Sequence, residues 1–178
     1  GIYSSIVTVG KVLLFGSGTV AVVMYPQISS AFTKKENYKR KFGKFFIIQL
    51  IPVLAGLILF YFNPKFIISI LFGQKFLMAS TLLPSFSLFI SLYVLINFFL
   101  LYFLAISKTA IFVLIIPAAV IQVILISVFH NNLAEVINVN ILSASLLFLA
   151  LLLYYKIHED FSDNSLLQKG KNNSTGHI

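Results

Sequence analysis

The chain has 178 residues, of which 59% are hydrophobic and only 10% charged, whereas a soluble domain carries roughly 25% charged residues. A body of this size always shows much of its surface, so this composition excludes an ordinary water-soluble fold and fits a bilayer, where exposed apolar side chains cost nothing. The net charge of +8 would suggest nucleic acid in a soluble protein, but here the cations sit between apolar runs and at their ends, which is the pattern of membrane topology.

A spanning helix needs about 20 predominantly apolar residues. Five segments supply them, at about 3–32, 45–62, 80–105, 109–129 and 136–155. The first is carried by Val12 to Phe32 and reaches back across Lys11. Backbone groups in lipid must be paired within the segment or in a closed barrel. Barrel strands alternate in polarity, and runs such as Ile111 to Ile126 do not. The expected fold class is therefore all-α: a polytopic transmembrane helix bundle over 1–155 with about five spanning helices. Between the second and third spans, Phe66 to Phe72 is apolar but too short to cross and reads as a surface helix ending near Gly73. The polar tail, 156–178, has too little apolar surface to fold alone and reads as disordered.

The connections set orientation. Lys34, Lys35, Lys39, Arg40, Lys41 and Lys44 crowd the first loop, Lys108 lies in the turn before the fourth span, and Lys156 follows the fifth. If all five segments cross, these eight cations share one side, against Lys65 and Lys75 on the other. The positive-inside rule then places the eight, and the C-terminus, in the cytoplasm. Gly1 falls outside. With no signal-peptide pattern ahead of the first span, the sequence reads as a fragment: the C-terminal part of a longer protein, or a truncated reading frame.

Catalytic constellations are missing. No Walker loop, zinc-helix motif or dinucleotide turn is present, His130, His158 and His177 are scattered, and no acidic residue falls inside a span. The reading is a non-enzyme with no cofactor and no metal site; with no cysteine, thiol and disulfide chemistry is absent too. Lys11 stands out, because an ionisable residue within a membrane segment is a functional candidate by default. It either faces a bundle interior or water-filled cavity, holding an anionic group, or snorkels to the interface. Asn97, Gln122 and Gln49 are amides within spans that either line a polar path or bond between helices. Tyr3, Lys11, Asn97 and Gln122 are the candidate substrate contacts. Pro26, Pro52, Pro84 and Pro117 fall one to a span and are candidate helix bends. Gly16 and Gly18 allow close helix approach. The aromatic side chains of the third span, Phe86 to Phe103, read as lipid-facing bulk and interfacial anchors.

The order of short motifs carries a resemblance. Gly1-Ile2-Tyr3-Ser4-Ser5 is followed by Lys11; Tyr25-Pro26-Gln27-Ile28-Ser29 leads into the basic loop; Leu71-Phe72-Gly73-Gln74-Lys75-Phe76 precedes Leu82-Leu83-Pro84. Over roughly 1–155 this resembles the C-terminal half of polysaccharide flippases, the Wzx-like branch of the MOP (MATE-like) transporter superfamily. The resemblance implies most of one lobe of a two-lobed transporter in the bacterial cytoplasmic (inner) membrane. Its partners would be the bilayer, an N-terminal lobe of the same protein that is missing here, and an undecaprenyl-pyrophosphate-linked oligosaccharide moved for O-antigen, capsule or teichoic-acid assembly. It also implies that Lys11 contacts the lipid-linked pyrophosphate. The alternatives are half of a MATE-type drug or cation antiporter, a membrane-bound polysaccharide polymerase or acyltransferase, and an inactive remnant. The antiporter would want an intramembrane carboxylate, which no span contains.

Overall fold

A computed structural model describes residues 2–174. It is 91% helical and contains no strand among the described residues. Helix α1 (Ile2–Thr33) is followed by α2 (Tyr38–Phe62), the short α3 (Pro64–Phe72), α4 (Leu83–Ala105), α5 (Phe112–Val128) and α6 (Leu133–Ser174). Five stretches are long and apolar enough to cross a membrane: Ser4–Thr33, Tyr38–Phe62, Leu83–Ala105, Thr109–Val128 and Leu133–Ile157.

Helices α1, α2 and α4 pack on one another and form the centre; α6 packs on α4, and α5 packs on α6 at the edge. Helix α5 buries no residue of its own. Two apolar clusters fill the centre, one towards each end. The first joins Met24, Ile28, Phe42, Phe98, Phe99, Tyr102, Phe103 and Leu151. The second joins Ile6, Val9, Leu13, Phe60, Ile67, Ile68, Leu83 and Phe86.

Close packing falls on glycines other than those the sequence suggests. A Cβ at Gly10 would lie 2.5 Å from Phe86 Cε1 and 3.1 Å from Ile90 Cγ1, and one at Gly56 would strike Leu13. Gly16 and Gly18 face open space. The aromatic side chains of α4 also differ from the expectation of lipid-facing bulk: Phe86, Phe98, Phe99, Tyr102 and Phe103 are buried, and Tyr93 is exposed. Phe42 at the start of α2 is the hub, 3.9 Å from Tyr102, 5.4 Å from Phe98 and 5.4 Å from Tyr155 between ring centroids. Aromatic rings meet neighbours on several sides at once, so a helix rich in them on all faces seats in the middle of a bundle.

The ends of the helices follow from local chemistry. Helix α3 starts at Pro64, where the missing N–H is harmless, and stops at Gly73, whose φ of 80° few other residues adopt. Gln74–Thr81 is a 3₁₀ helix leading into α4, which therefore starts at Leu83, slightly after the expected 80. Helices α1 and α4 end alike. Glu36 N–H donates to the Ala31 carbonyl at 2.9 Å and Lys108 N–H to the Phe103 carbonyl at 2.9 Å. Lys35 and Ser107 take the left-handed conformation that such caps require. Pro84 sits in the first turn of α4, so it initiates that helix and is not a bend. Pro26, Pro52 and Pro117 lie inside α1, α2 and α5. Helical backbone continues through 156–174, where composition points to an unfolded tail.

Candidate functional site

The face of α1 turned away from the bundle carries the candidate site. Lys11 is exposed on it and lies in the interior of α1, seven residues beyond Ser4, or about 10 Å along the axis at ~1.5 Å per residue. Buried positions of α1 such as Leu13, Ser17, Ala21 and Met24 face α2 and α4, and Lys11 falls on the opposite side, away from the interior of these five helices. Phe15, Gly18 and Val22 recur at helical spacing from Lys11 and continue its stripe. They line a groove with Leu14, Thr19, Val23, Tyr93 and Asn97, between α1 and α4. Its volume is about 530 Å³, within the roughly 300–1,000 Å³ common for ligand sites. Asn97 is half-buried in its wall. The two helices run parallel with Gly10 beside Phe86 and Ile90. Asn97 is seven residues past Ile90, so it and Lys11 are separated along the groove by roughly 10 Å.

Gln122 does not join this site. Its amide Nε2 donates to Asn140 Oδ1 of α6, and Asn140 Nδ2 donates to the Val136 carbonyl at 2.8 Å. The pair ties the peripheral α5 to the bundle, as the interhelical reading of such amides has it. Asn140 was legible only as an amide inside the fifth span. The side chain of Tyr3 lies outside the described residues.

Deeper lie Gln49, already singled out in the sequence, and two serines that were not. Ser17 of α1, Gln49 of α2 and Ser91 of α4 are buried, and Ser17 Oγ, both polar atoms of the Gln49 amide and Ser91 Oγ make no hydrogen bond. Each sits between the two apolar clusters: Ser17 between Leu13 and Ala21, Gln49 between Phe46 and Phe60, Ser91 between Phe86 and Ile96. Three of the central helices thus each carry a buried, unbonded polar side chain between the two clusters. Serine gives no sequence signal for this, since it is common and small.

At the basic end, Lys41 Nζ lies 2.6 Å from Glu36 Oε2. The hydrogen bond and the charge of Lys41 hold the Glu36 carboxyl below its usual range. Among the described residues no group of three or more His, Cys, Asp or Glu could hold a metal ion.

No protein-family model, no curated protein and no solved structure matches this chain. The class that fold and site define is a multi-pass helical membrane protein with an outward groove and a cation near it.

Proposed function

We propose that the chain is part of a membrane transporter that flips undecaprenyl-pyrophosphate-linked oligosaccharide across the bacterial cytoplasmic membrane for surface polysaccharide assembly. The outward face of α1 carries this reading: a cation, Lys11, heads a stripe that runs into an apolar groove edged by Asn97 and Tyr93. Such a face suits a ligand with an anionic head, hydroxyl-rich sugars and a long hydrocarbon tail. Lys11 would hold the pyrophosphate as a point charge, and Asn97 would meet a sugar hydroxyl. A second helical lobe, lying against the exposed Val12, Phe15, Val22 and Val23, would enclose the groove and place Lys11 in a central cavity. The five spans, the interior prolines of α1, α2 and α5, and the motif order of the sequence support the same reading, in which the basic end faces the cytoplasm.

Deleting the gene tests it. The expected result is loss of surface polysaccharide with accumulation of lipid-linked repeats, restored by the native gene and by the Gln122→Leu variant but not by Lys11→Gln. Unchanged surface polysaccharide with no accumulation would contradict the reading.

A further inference from the structure

Eight cations that are far apart in the sequence come together at one end of the bundle. Phe42, Tyr102 and Tyr155 are in ring contact. Lys41 and Lys44 flank the first of these rings, Lys108 follows the second by six residues, and Lys156 follows the third directly. Lys34, Lys35, Arg40, Lys44, Lys108 and Lys156 are all exposed. Glu36 is the one acid within the loop, and it is engaged by Lys41. Counting the tail as well, which adds Glu159, Asp160, Asp163, Lys169 and Lys171, this end keeps an excess of six positive charges. The opposite end has Lys65 and Lys75 against Glu135, whose carboxylate accepts from Asn131 N–H and Asn132 Nδ2.

We propose that the basic end is a docking surface for anionic phospholipid headgroups, contacted by Lys34, Lys35, Arg40, Lys44, Lys108 and Lys156. The depth of the cations favours a lipid over a soluble anion. Each lies at the end of a helix long and apolar enough to cross a bilayer, so it meets the headgroup layer and not bulk water. Exposed Phe32, in edge contact with Tyr38 at 5.4 Å, adds aromatic rings of the kind that settle at that layer. Flexible lysines need no fixed pocket to bind a phosphodiester; they gain from the summed field of the surface. The proposal stands independently of the transport reading, because none of these residues borders the α1–α4 groove.

The test uses the full chain in nanodiscs of phosphatidylcholine containing a minor fraction of phosphatidylglycerol, with retained lipid counted by native mass spectrometry. Phosphatidylglycerol should be enriched around the protein above its bulk fraction, and the enrichment should fall with added salt. Each neutralised cation weakens a surface contact by roughly fivefold, so K34Q/K35Q/R40Q/K44Q should bring retained phosphatidylglycerol close to its bulk fraction. K108Q/K156Q should lose less but measurably. K65Q/K75Q at the far end should retain the enrichment. Far-ultraviolet circular dichroism establishes that each variant keeps its helices. Equal enrichment in native and quadruple-variant protein, or equal loss in K65Q/K75Q, would overturn the proposal. So would displacement of phosphatidylglycerol by millimolar inorganic phosphate, which would mark a site for free phosphate.

Discussion

At the scale of single residues, packing and polarity give opposite kinds of constraint. Gly10 lets α1 approach the buried ring of Phe86. Gly10→Val should therefore destabilise the bundle by about 1–3 kcal/mol through overpacking, whereas Gly16→Ala, which meets open space, should stabilise it by up to about 1 kcal/mol through helix propensity. Reversible unfolding in mixed micelles measures both, and a neutral Gly10→Val would show that α1 and α4 are further apart. Gln49 is the reverse case. Its fully buried amide has no hydrogen-bond partner, and an unsatisfied buried polar group costs about 1–3 kcal/mol. Gln49→Leu should leave stability unchanged or raise it by that order in the same assay. A loss above about 1 kcal/mol would mean that the amide is paired.

At the scale of elements, periodicity and length revealed most of the fold. Apolar runs about 20 residues long placed all five spans, and the short run before Gly73 became α3. What the sequence could not reveal depends on which helix ends up central. The aromatic side chains of α4 look the same whether they face lipid or protein, and only the packing of α1, α2 and α6 around α4 makes them core. The same reasoning explains Pro84, whose position one residue inside the start of α4 becomes visible only once the preceding 3₁₀ turn is known. In the candidate site, Lys11 and Asn97 were legible as polar intruders in apolar runs. The role of Gln122 was not, because it depends on Asn140 in another helix. Gln122→Leu should loosen α5 from α6 by about 0.6 kcal/mol and up to about 1.7 kcal/mol, as for other interhelical bonds in membranes. The double variant Gln122→Leu/Asn140→Leu should recover part of that loss, since no amide is then left unpaired. Additive losses in the double variant would argue against the bond.

At the scale of the whole molecule, the two ends differ in charge, and the middle carries the buried, unbonded side chains of Ser17, Gln49 and Ser91. The charge difference follows from five helices that alternate in direction and return the basic loop, the α4–α5 turn and the end of the fifth span to one end. Contact among Phe42, Tyr102 and Tyr155 fixes that common end within the bundle. Because the chain has no cysteine, single cysteines report accessibility without background. Cysteines placed at Asn37, Ser107 and Ile157, and at Lys65 and Asn131, should be labelled by a membrane-impermeant maleimide as two groups. The first three should react from one side of the membrane only, and the last two from the opposite side only. Labelling of positions 107 and 131 from the same side, or of 37 and 107 from opposite sides, would contradict the five-span bundle.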